Sequence, residues 1–266
     1  MQTQKAISQP AGDAGFYRSA GGPSDAMPPL HLSSDRRETY AQMEHCIRRK
    51  AGPQPIRILE AGCGQKWPLN LDGTPFALTA VDVDEEALAL RRQKAREGDR
   101  IFTGDLRDRA MFAPATFDVI YNSFVLEHID DAQGVLDNFM HWLVPNGVLI
   151  VRIPDGDSVY GFVTRSTPLW MHVLYKKYVQ GIKTAGLPGH DPYPVYYHPV
   201  VSRRGMHRYC RERSCRVVYE SGFSGYLPKS AVLGSMSRTL ARSIAALSFG
   251  RLDWRYNNLT IVIEKS

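Results

Sequence analysis

Between residues 56 and 154 short apolar runs alternate with helical stretches, and this alternation limits the fold more than any other feature of the chain. "IRILEAG", "ALTAVDV", "FDVIYNSF" and "GVLIVRIP" have the length and composition of buried strands. "EEALALRRQKAR" reads as a helix with Leu88 inside and Arg91 and Arg92 outside. Leu136, Phe139, Met140 and Leu143 recur at i, i+3, i+4 and i+7, the stripe of a helix packed on a sheet. Alternation of this kind builds βαβ units and a parallel sheet, whose ligands sit beyond the carboxyl ends of the strands. Glu60, Asp82, Asp105, Asn122 and Asp155 stand at those ends, so five loops are expected to converge on one crevice.

The flanks have a different character. Residues 1–30 hold Gly, Pro, Ser and Ala with few large apolar side chains and are expected to form a mobile tail. From Ser34, a suitable N-cap, Tyr40, Met43 and Ile47 fall at helical spacing until "AGPQP" stops the helix. A cofactor-binding core is thus expected over 31–154. Residues 155–201 are rich in Tyr, Pro, His and Trp, lack a strand period, and are expected to form an inserted lid. Thr167-Pro168 is the expected start of a helix within it. Residues 202–266 would complete the core, with a basic helix over 202–220 and a final strand, "NNLTIVIEK".

The first strand runs into Gly62-Cys63-Gly64, where two glycines let the backbone turn tightly and approach a ligand. Asp82 ends the next strand 20 residues beyond Gly62, where a carboxylate accepts hydrogen bonds from ribose hydroxyls. A dinucleotide fingerprint requires Gly or Ala at position 67, and Trp67 stands there. Pro68 also removes an amide that a pyrophosphate would use. The loop therefore suits an adenosine cofactor without phosphates.

"LEAGCG", "VDVD", "TGDL", "FDVIYNSFVLEHIDD" and "WLVPNGVLIVRIP", in this order, resemble class I S-adenosylmethionine-dependent methyltransferases, and most closely the type-11 small-molecule group. The resemblance covers residues 35–154, with an echo at "ESGF" and the last strand. It implies an α/β, Rossmann-like, doubly wound fold: a mostly parallel seven-stranded sheet with the lid inserted after the fifth strand. It implies S-adenosylmethionine as cofactor, with Glu60, Gly62, Cys63 and Gly64 at the methionine half and Asp82 on the ribose. Val83 would lie against the adenine, Asp105 would accept from its amino group beside Leu106, and Asn122 and Ser123 would stand close to the sulfonium. The sequence departs from the family after Gly64, where Lys66-Trp67-Pro68 replaces a third glycine. Trp67 is expected to pack beneath the loop, and Asp105 has the alternative of capping a helix.

A sulfonium is an intrinsically good methyl donor, so the chain mainly has to align a nucleophile and exclude water. For a hydroxyl acceptor a base helps, and imidazole suits neutral pH. His128, in "VLEHID", lies where several O-methyltransferases of this group keep an active-site histidine, and where many others keep one for structure. The insert supplies rivals in His172, His190, Asp191 and His198. Its "GHDPYPVYYHP" run offers aromatic faces with polar handles, suited to a sugar or other polyhydroxylated acceptor, or simply a rigid lid. The leading expectation is O-methylation of a small or glycosylated hydroxyl acceptor. N-methylation of an amine and a cofactor-binding scaffold without catalysis are the alternatives.

Composition narrows the partners. The net charge of +6 is concentrated after residue 165, where a solvated basic face is the simplest reading. No nucleic-acid module and no persuasive metal spacing are present. "PLWMHVLYKKYVQ" and residues 232–247, with Met236, Leu240, Ile244 and Leu247 on one side, fit either peripheral contact with anionic lipid or packing on the core. No apolar run approaches the ~20 residues of a membrane span. Without a signal-type leader, and with Cys46, Cys63, Cys210 and Cys215 read as reduced thiols, a cytoplasmic protein is expected.

Overall fold

A computed structural model of the chain describes residues 27–33, 35–179, 181–184, 186, 195, 196, 198–224 and 231–266, with the side chains of 169, 172, 179 and 231–234 left aside. Ser34, His190, Asp191 and most of the expected tail lie outside the described residues, as does the His172 side chain.

One sheet organises the molecule. Its strands are β1 (His31–Leu32), β2 (Ile56–Ala61), β3 (Phe76–Asp82), β4 (Arg100–Thr103), β5 (Phe117–Ser123), β6 (Leu143–Pro154), β7 (Cys215–Phe223) and β8 (Asn258–Lys265). They lie in the order β1-β7-β8-β6-β5-β2-β3-β4. β8 runs antiparallel to β6 and β7, and the other neighbours are parallel. Five of them, β2, β3, β5, β6 and β8, fall where the sequence placed strands, and β4 and β7 bring the count to the seven that the resemblance implies. The eighth is the two-residue edge strand β1, which pairs His31 with Ser221 and Leu32 with Gly222.

Helices cover both faces because the strands are apolar on both. On one face α3 (Ala132–Trp142) and α6 (Arg203–Glu212) bury Leu136, Phe139, Met206 and Tyr209 against Leu59, Ile120 and Leu149. On the other, α1 (Arg36–Arg48) buries Met43 and Ile47 against Ile58, Val119 and Ile150. α2 (Glu85–Arg92) adds Leu88, packed with Ala80 and Cys63. Asp35 caps α1 through the Glu38 amide, one residue later than the Ser34 expectation.

The crossover from β2 to β3, residues 62–75, contains no helix. Pro68, Gly73 and Pro75 forbid a helical run there. The segment is held instead by Leu69 and Leu71, both buried in the α1 layer. Each buried leucine contributes roughly 1.5–3 kcal/mol, enough to seat a segment without ladder hydrogen bonds.

Three local expectations are corrected after Pro154. The basic helix ends at Glu212 rather than near 220, and Cys215–Phe223 is strand. Ser214 has a positive φ of 26°, which breaks the helix, and Val217, Val218 and Tyr219 favour the pleat that follows. The insert holds an unforeseen helix, α4 (Val159–Ser166), capped by Ser158. Thr167 is the residue that ends α4 and bonds back to the Val163 carbonyl, and α5 (Leu169–Leu174) begins two residues later. In α7 (Ala231–Leu247) Ala241, Ala245 and Ile244 pack on Val159 and Trp254. Met236, Leu240 and Leu247 are exposed, so most of that stripe faces solvent and not the core. Among the described residues no helix is long and apolar enough to cross a membrane.

Candidate active site

The glycine loop is built for close approach. Gly62 has φ +74°, and a Cβ there would stand 2.2 Å from Val125 Cγ2. The Gly62 and Cys63 amides both donate to the Val81 carbonyl, at 2.8 and 3.0 Å, locking the loop onto β3. Gly64, with φ +53°, faces open space. Its amide donates to Asp82 Oδ2 at 2.8 Å, while the Asp84 amide donates to Oδ1 at 3.1 Å. Two backbone donors thus fix the Asp82 carboxylate at the end of β3, and a carboxylate has further lone pairs to offer hydroxyls. Beside it Val83 is 67% exposed, an apolar side chain next to the Asp82 carboxylate in sequence.

Glu60 is not the unpaired carboxylate its position suggests. Arg91 of α2, expected outside, is buried and donates to Glu60 Oε2 at 2.6 Å. Leu88 and Arg91 are three residues apart and share the inner face of α2, where only a paired guanidinium is tolerated. Burial pushes the Glu60 carboxyl up to about 8, with Arg91 pulling the other way. Glu60 also joins the wall of the crevice.

Asp105, expected to accept from the adenine amino group, is gripped by Arg107 through Nε and Nη2, the latter at 2.7 Å, and by the Arg107 amide at 3.0 Å. The Arg107 hydrogen bonds hold its carboxyl below the usual carboxylate range. Asp105 is therefore a turn residue tied to a neighbouring cation; Asp108 caps the short turn that follows. The Leu106 side chain points into the core. Asn122 is fully buried and donates to the Ala61 carbonyl at 2.9 Å, tying the ends of β5 and β2. Its Oδ1 has no partner among the described residues. Asp155 does not join the crevice. It accepts from the Asp157 and Arg203 amides and the Tyr256 hydroxyl, and so braces the start of α6.

Beyond β2 the crevice opens into a cavity of about 370 Å³, whose wall runs from Gly62, Cys63 and Gly64 to Ser123 and Arg152. Lys66 lines it, and Trp67 does not. Trp67 packs on Phe76 and Tyr121, with ring centroids 6.0 and 5.8 Å away. Phe124, with φ +58°, bends the chain sharply at the end of β5, which turns its ring toward this wall.

The candidate bases are not gathered in that wall. His128 stands in the 3₁₀ turn Leu126–His128, directly after β5, with Nε2 4.0 Å from Glu127 Oε1, beyond hydrogen-bond range. Glu127 is buried, and burial raises its carboxyl to about 8, so it is a poor anionic partner for imidazole at neutral pH. His198 accepts the Val200 amide on Nδ1 at 3.2 Å. That nitrogen is spent on the turn before α6, and Nε2 carries the proton. Sequence reasoning passed over Arg152, although a charge inside the apolar run "LIVRIP" is a signal that something must neutralise it.

The methyltransferase-domain family matches residues 34–219, more than two-thirds of the chain. The chain belongs to this S-adenosylmethionine-dependent methyltransferase family. A malonyl-[acyl-carrier protein] O-methyltransferase of Halalkalibacterium halodurans is 28% identical over 49% of this chain, and the chain spans about half of that relative (51%). A ubiquinone biosynthesis O-methyltransferase of Parvibaculum lavamentivorans is 26% identical over 68% of this chain and 78% of its own length. Among solved structures, magnesium protoporphyrin IX methyltransferase of Synechocystis PCC 6803 with bound S-adenosylhomocysteine superposes with a TM-score of 0.53 at 13% identity, covering 86% of this chain and 83% of that one. The methyltransferase family's cofactor fits what stands here. The loop has room only for a backbone at Gly62, an anchored acidic acceptor at Asp82 and an exposed apolar side chain at Val83, and no helix N-terminus follows it to hold a pyrophosphate.

Proposed function

We propose that the chain methylates a hydroxyl group of a small acceptor bound in the cavity between the glycine loop and the ends of β5 and β6. The observation that carries this is the continuity of that cavity, from the cofactor loop at Gly62 to Ser123 and Arg152. The two curated relatives, both O-methyltransferases by name, support oxygen as the nucleophile. Bound S-adenosylmethionine supplies an activated methyl group on a sulfonium. Gly62, Gly64 and Asp82 would hold the cofactor, and the aromatic wall of Tyr40 and Phe124 would keep water from the acceptor.

Methylating a hydroxyl releases its proton, and we assign the base to His128, which lies outside the cavity wall and is chosen for its place in the turn directly after β5. Wild type and His128→Gln are compared on panels of hydroxyl and amine acceptors, with product oxygen or nitrogen methylation read by mass spectrometry. General base catalysis is worth roughly 10²–10⁴-fold, so kcat is expected to fall by at least tenfold with S-adenosylhomocysteine affinity unchanged. Products methylated only on nitrogen, with unaltered kcat in the variant, would overturn both the hydroxyl and the base. Cofactor binding without turnover on either panel would favour a scaffold.

A further inference from the structure

Arg152 is the anomaly of the acceptor cavity. It lies on β6 with 5% exposure, in a polar row that crosses the sheet by register, where Ser123 faces Arg152, Arg152 faces Thr260 and Thr260 faces Ser221. Immediately below that row the same face of the sheet carries Tyr121, Ile150 and Val262. The guanidinium carbon sits 5.0 Å from the Tyr40 ring centroid and 4.9 Å from that of Phe124. Nη1 donates to the Tyr40 hydroxyl at 3.2 Å and reaches Ser123 Oγ at 3.5 Å. Nε has no partner among the described residues.

The other buried guanidinium, Arg91, is neutralised by Glu60, and the half-buried Arg203 by Glu220. Arg152 has rings and hydroxyls around it and, among the described residues, no carboxylate in contact. A cation removed from water without a counter-ion is costly, and a fold retains one where a ligand completes it. The cavity wall agrees in sign. Arg36, Lys66 and Arg152 line it, and its carboxylate, Glu60, is engaged by Arg91. A planar fork of donors between two aromatic rings matches the paired oxygens of an anion such as a carboxylate better than a neutral group.

We propose that Arg152 binds a carboxylate, and that this carboxylate belongs to the methyl acceptor. The assignment rests on reading the crevice as a methyl-transfer site, and it narrows the acceptor to acidic hydroxyl compounds. The cofactor's own amino-acid carboxylate is the other source of the same chemistry. Position favours the acceptor, because β5 separates Arg152 on β6 from the glycine loop on β2.

The test reads binding rather than turnover. With ¹⁵N-labelled protein, the Arg152 Nε–H resonance, assigned by its loss in Arg152→Met, is followed while benzoate or acetate is added, and then the neutral benzamide or acetamide. A saturable shift with the carboxylates alone is expected, both with and without S-adenosylhomocysteine. No saturable shift with either carboxylate overturns the proposal. In parallel, calorimetry compares S-adenosylhomocysteine with 5′-methylthioadenosine, which lacks the amino-acid carboxylate. Both affinities are expected to be the same in wild type and Arg152→Met to within about twofold. A roughly tenfold loss confined to S-adenosylhomocysteine transfers the site to the cofactor and overturns the acceptor assignment. Ligand-free Arg152→Met is expected to melt no lower than wild type, because it removes an unneutralised buried charge, and a sharply lower Tm would make Arg152 structural. Should that variant fail to fold, Arg152→Lys retains charge without the fork and is expected to bind benzoate about tenfold more weakly. If S-adenosylhomocysteine fails to bind wild type, the methyl-transfer reading falls, and the ligand-free carboxylate titration still decides for or against the anion site.

Discussion

Two glycines two residues apart do different work, and the difference is measurable. Gly62 combines a left-handed φ with a Cβ position already occupied by Val125, whereas Gly64 has a left-handed φ and free space. Gly64→Ala therefore meets only the backbone penalty, roughly 1–2 kcal/mol. Gly62→Ala adds a collision that must push the loop off Val125, and with it the Gly64 amide that anchors Asp82. Thermal melts and S-adenosylhomocysteine titration of the two variants are expected to show the larger loss in both quantities for Gly62→Ala. Equal effects would mean that the loop is not clamped there. Lys66 and Trp67 divide in the same way, the lysine on the cavity and the tryptophan in the core, a distinction that two adjacent letters do not carry.

Among the elements, the junction of α6 with β7 depends on one carboxylate. Glu220 is fully buried, accepting from Arg203 Nε at 3.0 Å and contacting His207 Nε2 at 2.9 Å. Burial alone would raise its carboxyl, but the hydrogen bonds from His207 and Arg203 outweigh it and hold the group down to about 2. A depressed carboxylate contributes stability that is complete above its unfolded value of 4.5 and disappears as pH falls through 2. The shift corresponds to about 3 kcal/mol at neutral pH. Wild type is expected to lose Tm steeply between those limits, and Glu220→Gln to start several degrees lower at pH 7 with a flatter acid limb. Parallel acid limbs would show that Glu220 does not carry this dependence.

That junction is also where the sequence was hardest to read. "SRRGMHRYCRERSC" is polar and helical in pattern, and the turn at Ser214 has neither Gly nor Pro to announce it. α4 was hidden for a similar reason, since its capping Ser158 precedes a mixed stretch too short to show a period. The strands of the core were legible because each is a local apolar run, and local pattern is what a buried strand requires.

For the whole molecule, legibility divides along another line. The glycine loop and Asp82 could be read because they are motifs at strand ends, and the sheet places strand ends of one polarity together. The acceptor side could not. Arg152 acquires meaning only from Tyr40 on α1 and Phe124 after β5, which approach it through the fold. Arg91 likewise reads as a surface residue until α2 is seated on the sheet over Glu60. Pairing between distant buried charges is decided by tertiary placement, and no periodicity reports it. The absence of a helix in residues 62–75 was in principle readable from Pro68, Gly73 and Pro75, and it strengthens the case against a pyrophosphate.

The central claim is that the loop at Gly62 and the carboxylate of Asp82 hold S-adenosylmethionine. Isothermal titration of S-adenosylmethionine, S-adenosylhomocysteine and a nicotinamide dinucleotide into wild type and Asp82→Asn tests it directly. Saturable one-to-one binding of the two sulfur nucleosides is expected, with no binding of the dinucleotide. Loss of charge-assisted hydrogen bonds of about 1.5–3 kcal/mol should weaken Asp82→Asn by roughly 10–100-fold. Absence of binding to wild type, or undiminished affinity in Asp82→Asn, would contradict the account.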